Sequence, residues 1–256
     1  MAQTIIDTKK LLGFINGFGN NIEDLLLVIK DNRLYGAVDT PTHYCEKSIS
    51  VMVANDISYK PGKVYICDVA KVATFLKASS QSLCIVSQWD GYFNLKSGSD
   101  SLNLPSHTHI RSATTVGRAK EAIRQMEDDN YTKIGPHPLS INGSIEMKEM
   151  KGMSVGVKIV GKDAPCRIQV NPTDAEMIIT MGEVVGAINM SRTIELNNIW
   201  GTEQGTTYFT SDLPKILSCM DNGIVDFYMG DHGALILKHQ EYDTLLIIKH
   251  LMGVGE

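Results

Sequence analysis

The feature that most constrains this chain is a long internal repetition. Residues 63–104 read as a strand, a short helix and then strands at tight spacing, and residues 206–252 read the same way in the same order. In the first copy Tyr65, Ile66 and Asp68 precede a helical stripe of Val69, Val72, Ala73 and Leu76. In the second, Tyr208, Phe209 and Asp212 precede Leu213, Ile216, Leu217 and Met220. Apolar residues at i, i+3, i+4 and i+7 mark one buried helix face, and Asp68 and Ser211 stand where N-caps are expected. An apolar strand and a turn follow each helix, Trp89-Asp90-Gly91 in one copy and Gly230-Asp231-His232-Gly233 in the other, which predicts hairpins. A unit repeated over this length predicts a two-fold architecture.

The same template extends to the remaining chain. Residues 3–6 form a short strand, and a helix capped by Asp7 or Thr8 buries Leu11, Leu12, Ile15 and Phe18, with strands expected at 24–30, 33–38 and 42–53. In the second half the template asks for a strand at 143–147 and a helix over 149–162 burying Met150, Met153, Val157 and Val160. A hairpin of 166–170 with 176–181 and a third strand at 187–197 follow. Gly152, Gly156 and Gly161 oppose that helix, each at a cost of ~1 kcal/mol, and the template alone argues for it. Between the halves lies the polar stretch 106–142, with helix formers over 117–129. The expected organisation is α+β: an N-terminal domain 1–108, a linker or insertion 109–142, and a C-terminal domain 143–256. Each domain has two helices packed on antiparallel sheets.

Composition closes several other routes. A chain of 256 residues is long enough for two domains with separate cores. Its net charge of −5 announces no nucleic acid, so a surface for that partner has to be local. The five cysteines, Cys45, Cys67, Cys84, Cys166 and Cys219, show neither zinc spacing nor a disulfide framework, which fits a reducing compartment. No apolar run approaches a membrane span and no signal-peptide pattern opens the chain, so the expected location is cytoplasmic. P-loop, dinucleotide and zinc motifs are missing, so neither cofactor nor metal is expected. Asp39 with His43, or His107 with His109, could be cast as acid and base or as metal ligands. Each pair lacks the third member that its chemistry needs, and the chain is read as not an enzyme.

The order of elements and two local strings carry a family resemblance. Residues 34–51, LYGAVDTPTHYCEKSISV, place Asp39, Thr40, Thr42 and His43 between two strands, and residues 93–98 form a basic strand ending in glycine. Together they resemble the DNA polymerase sliding clamps, above all the two-domain type: proliferating cell nuclear antigen, its archaeal counterparts and the clamps of tailed phages, with methionine and asparagine usage pointing to a phage-like source. The resemblance implies the DNA-clamp fold and a homotrimeric ring of six similar domains, sheets outside and helices around a hole that encircles double-stranded DNA without regard to sequence. It implies a DNA polymerase and a clamp-loader ATPase as partners.

On this chain the implied lumen residues are Lys9, Lys10, Lys71, Lys77, Lys151, Lys158, Lys162 and Lys215. The implied partner-peptide pocket is Val38, His43, Tyr44, Gly233, Leu251 and Met252. For any single lysine, an ordinary solubilising role explains its presence equally well; for Val38 and Leu251, a place at the strand ends of the core does. Two alternatives stand beside the clamp: a β-rich structural or assembly protein of a virus, and a non-ring processivity factor.

Overall fold

The computed structural model describes residues 2–19, 22–51, 59–89, 91–106, 111–161, 164–182, 188–201 and 203–251, with the backbone alone at 111–114 and 157. The chain forms two compact units, Met1–Asp39 with Cys45–Arg118, and Thr40–Tyr44 with Ala119–Glu256.

The first unit runs β1 (Ala2–Asp7), α1 (Thr8–Asn16), β2 (Leu25–Lys30), β3 (Arg33–Asp39), β4 (His43–Ser50), β5 (Gly62–Ile66), α2 (Val69–Ala78), β6 (Leu83–Trp89), β7 (Tyr92–Ser97) and β8 (Asp100–Pro105). One sheet has the order β1-β6-β7-β8, and β4, β3, β2 and β5 lie side by side in another. The strand that leads into α1 pairs with the strand that leaves α2, Ile6 opposite Cys84. Reciprocally, the strand that leaves α1 pairs with the strand that leads into α2, Leu25 opposite Ile66. Asp7 caps α1 by accepting from Lys10 N at 2.7 Å, and Asp68 caps α2 by accepting from Lys71 N at 3.0 Å. The buried face of α1 is Thr8, Leu11, Phe14 and Ile15. Phe14 thus takes the place expected for Leu12, which is half-buried, and packs edge-on to buried Phe18 at 5.1 Å.

After α3 (Arg111–Asp128) and the two-residue strands β9 (Lys133–Ile134) and β10 (His137–Pro138), the pattern recurs. The second unit holds β11 (Ile141–Glu146), α4 (Met147–Lys151), a 3-10 turn Gly152–Val155, α5 (Gly156–Val160), β12 (Cys166–Asn171) and β13 (Glu176–Met181). It continues with β14 (Met190–Glu195), β15 (Asn197–Trp200), β16 (Gly205–Phe209), α6 (Leu213–Leu217), β17 (Ile224–Met229), β18 (Leu235–His239) and β19 (Thr244–Ile248). Its sheets have the orders β14-β13-β12-β16 and β15-β11-β17-β18-β19. The reciprocal pairing is the same: β12 leaves the first helical segment and pairs with β16, which leads into α6, while β11 and β17 make the other pair.

Three expectations need correction here. The helix expected over 149–162 starts two residues earlier and is broken by the 3-10 turn, although Met150 and Met153 are buried as expected. Val160 is half-buried, and of Val157 only the backbone is described. The glycines sit there because neighbouring side chains press on the helix: a Cβ on Gly152 would meet the Arg192 guanidinium, and one on Gly156 would lie 2.6 Å from Met181 Sδ. The residue at the N-cap of α6 is Asp212 rather than Ser211, and it makes no side-chain cap bond. The single strand expected at 187–197 is two strands, β14 and β15, and Ala187 lies outside the described residues.

Cys84 and Cys166 mark equivalent points, each the place where a strand departs from a helix and pairs with the strand entering the other. Burial pushes their thiols up from 9.0 to about 11 and about 12. Both should resist alkylation in the native protein at pH 8 and react once it is unfolded. Because the unfolded thiols ionise first, their contribution to stability is full below about pH 9 and is lost as the pH rises through the folded values. A second test is Gly36→Ala, whose Cβ would lie 2.6 Å from Phe18 Cζ and 2.9 Å from Phe14 Cζ. It should cost about 1–3 kcal/mol in urea unfolding.

Candidate nucleic-acid interface

The helices α1, α2, α4, α5 and α6, with the 3-10 turn, carry eight lysines and one carboxylate, Glu149. The chain as a whole is net negative, at −5. These short helices are therefore locally rich in positive charge, whereas α3 mixes Arg118, Lys120 and Arg124 with Glu121, Glu127 and Asp128, and Glu149 is itself paired with Arg192.

Individual lysines differ in what their ammonium groups do. Lys9 and Lys77 are exposed and flank one open depression of about 450 Å³, with Leu12, Leu76, Ser79, Ser80 and Gln81 in its lining. Lys158 is exposed in the last turn of α5. Lys71 and Lys215 are exposed and each bridges the carboxylate three residues before it, Asp68 at 2.9 Å and Asp212 at 2.6 Å. The Lys71 ammonium and backbone N–H hold the Asp68 carboxyl below its usual range. Lys10 donates to Ser50 O at 2.9 Å and Ser50 Oγ at 2.7 Å. Lys151 donates to Met220 O at 2.5 Å and Asn222 Oδ1 at 3.0 Å, tying α4 to the segment after α6. Lys162 lies outside the described residues. Lys148 is exposed on α4, 3.5 Å from the Glu146 carboxylate, and was missed because the helix was expected to begin one residue after it.

The residues expected at a peptide pocket divide in two. Val38 and Tyr44 are 2% and 1% exposed, so their side chains are core and offer no surface to a ligand. Polar contacts gather instead around the C-terminal segment of the second unit. Lys249 donates from its backbone N to Thr42 O at 2.9 Å and from Nζ to Thr40 O at 2.5 Å. In that turn Thr40 Oγ1 lies 3.0 Å from His43 Nδ1 and accepts from His43 N. Leu251, half-buried, donates to Tyr208 O at 2.8 Å. Thr207 Oγ1 donates to Gly233 O at 2.6 Å and lies 3.2 Å from His250 Nδ1. The His232 ring stands 6.4 Å from Tyr208 and 6.2 Å from His250. Thr207, Tyr208, His232 and His250 carry no joint sequence signal, because only strand pairing brings them together. Met252 lies outside the described residues, as do His107 and His109. Among the described residues no cluster of three His, Cys, Asp or Glu side chains could hold a metal, and no helix is long and apolar enough to cross a membrane.

These two kinds of lysine predict different phenotypes. Lys151→Met should lower stability by about 1–2 kcal/mol through the loss of charge-assisted bonds, whereas Lys9→Met should stay within about 0.5 kcal/mol. Parallel urea titrations check both.

No protein-family model and no curated protein matches the sequence. Solved structures do match. A Helicobacter pylori β clamp bound to a DNA ligase peptide superposes with a TM-score of 0.70 at 13% identity, over 98% of this chain and 67% of that one. The DNA polymerase III β subunit of Thermotoga maritima gives 0.71 at 10% identity over 98% and 65%, and the DNA polymerase sliding clamp of Pseudomonas aeruginosa 0.67 at 13% over 99% and 65%. The chain spans about two thirds of the length of these proteins. It has the DNA-clamp fold.

Proposed function

We propose that the protein is a sliding clamp, a non-catalytic tether that encircles duplex DNA and holds a polymerase on it. The observation that carries this reading is the segregation of lysine onto the paired helices of a net-negative chain with the clamp fold. Helices that present ammonium groups and almost no carboxylates suit a phosphate backbone met through weak, sequence-independent contacts. Retention then comes from topology, and the weak contacts let the ring slide. Lys9, Lys71, Lys77, Lys148, Lys158 and Lys215 are the exposed members of that surface, with Lys10 and Lys151 anchored beside them and Lys162 assigned by the family resemblance.

Closure into a ring is supported by the sheet edges. β1 is covered by Lys60, which exchanges both backbone bonds with Gln3 at 2.9 and 2.7 Å, and β16 by the Leu251 bond to Tyr208. In these two four-stranded sheets, among the described residues, β8 in the first unit and β14 in the second are left open along one side. Two different open edges per chain favour a heterologous, head-to-tail joint, which closes into a ring when the rotation permits. With two units per chain, six units require three chains, the homotrimer of the two-domain clamps. Exposed Val155, Ile159 and Ile188 lie in the helical segment and strand approach next to β14 and give that joint an apolar component.

The partner surface is assigned to the C-terminal end of the second unit. Half-buried Leu251, beside the turn that holds His43 and the Gly233 carbonyl, is proposed to meet an apolar-anchored peptide of the polymerase or of the clamp-loader ATPase, and Val38, Tyr44 and Met252 are assigned to that surface by the family resemblance alone. The place of action is the compartment that holds the replicating DNA, the host cytoplasm for a phage-like source. Replacing Lys9, Lys71 and Lys158 together by Ala should leave unfolding within about 1 kcal/mol. The same change should reduce polymerase stimulation and flatten its salt dependence by up to about three phosphate contacts. Unchanged stimulation with an unchanged salt slope would remove these lysines from the DNA-facing surface.

A further inference from the structure

The sheet β14-β13-β12-β16 keeps its apolar side chains on one face. Cys166, Ile168 and Val170 of β12 are buried there with Met177, Ile179 and Met181 of β13. The helical layer packs on the same face, since a Cβ on Gly156 would lie 2.6 Å from Met181 Sδ. Strand alternation puts Arg167 on the other face, in one row with Tyr208 of β16, Thr180 of β13 and Ser191 of β14.

Among the described residues the Arg167 guanidinium makes no hydrogen bond or ion pair. Its Nε is buried without a partner, while the side chain as a whole is half-buried, which leaves the two terminal nitrogens as its open end. A buried, unpaired N–H on a charged group costs stability and calls for an explanation. No other described side chain on this face of the four strands is cationic. The carboxylates of the face are Glu176 and Glu195, opposite one another and four residues along the strand from the Arg167 row, about 13 Å away. At the outer edge of β16 the Asp231 carboxylate accepts from Thr206 N at 2.8 Å.

Backbone bonding fixes how far Arg167 stands from Leu251. The Leu251 N–H reaches Tyr208 O at 2.8 Å, so the hydrogen-bonding side of Tyr208 is turned away from β12. Tyr208 and Arg167 are therefore a non-hydrogen-bonded pair, with close side chains and Cα atoms about 4.5 Å apart. With one further strand spacing, Arg167 lies about 9–10 Å across the sheet from the Leu251 segment, the reach of about three extended residues.

We propose that the partner peptide carries a carboxylate about three residues from its apolar anchor, and that Arg167 receives it through the two terminal nitrogens. The proposal rests on the peptide surface assigned to Leu251 above. One guanidinium matches one carboxylate in a bidentate pair. Duplex DNA is met by several cations together, and this face offers a single one, on the side of the sheet away from the helices.

The test is to pan a phage-displayed library of random dodecapeptides on the full chain and on Arg167→Met, and to sequence what each retains. The parent should enrich apolar-anchored peptides with Asp or Glu about three residues from the anchor. Arg167→Met should keep the anchor and lose the acid, and should bind a labelled peptide selected on the parent about tenfold or more weakly. It keeps the apolar stem, so its urea midpoint should be no lower than the parent's; a clearly lower midpoint would make Arg167 structural and overturn the proposal. Anchors without acids, or acids kept by Arg167→Met, would overturn it and leave the peptide surface standing. No apolar-anchored peptide from the parent would remove both. A salt slope of duplex binding reduced by about one in Arg167→Met would give the guanidinium to phosphate and overturn it as well.

Discussion

The reciprocal pairing of the strands that flank each helix pair is the constraint on which the rest of the structure depends. In the first unit β1 pairs with β6 and β2 with β5; in the second, β16 pairs with β12 and β11 with β17. Each helix is therefore held at both ends by strands that are themselves paired to the ends of its neighbour. A short helix has little stability of its own, and α6 is only five residues long. It persists because Leu213, Ile216 and Leu217 are buried and its flanking strands are already fixed. The same arrangement leaves one face of every helix in solvent, and that is where the lysines stand.

Charge placement follows from this scaffold. A helix anchored by sheet pairing can give up its exposed face to a single sign of charge, because no ion-pair network is needed to hold it. The acids appear at the ends instead: Asp7 and Asp68 accept from backbone N–H groups at the N-termini of α1 and α2, where the helix dipole favours them. Lysines in the last turns, Lys77, Lys158 and Lys215, meet the opposite end of the dipole. The exposed helix faces thus carry lysine without cost to helix stability, and without making the chain basic overall.

Much of this was legible in the residues. The repeat at 63–104 and 206–252 exposed the order of elements, because periodicity switches cleanly between two and 3.6 residues there; Asp68 announced one cap, and the other was narrowed to Asp7 or Thr8. The second unit's first helix was legible only in outline. Its glycines reflect pressure from Arg192 and Met181, residues on strands far along the chain, and nothing local distinguishes that from a poor helix. Lys148 was missed for the same reason, since its place depends on where that helix begins. Of the residues expected at a pocket, the Gly233 carbonyl and the Leu251 N–H bond to Thr207 and Tyr208 of β16, whereas Val38 and Tyr44 are buried. Strand-end residues alternate between core and surface, so a shift of one position in register decides which they are.

Encirclement of duplex DNA is the central claim, and topological retention tests it most directly. The chains would be assembled in the presence of a nicked circular duplex, and the complex passed through a sizing column in high salt before and after a single restriction cut. Encirclement predicts that protein stays with the circle through the salt and leaves once the DNA is linear. Loss from the circle in salt, or equal retention on circle and linear duplex, would contradict it.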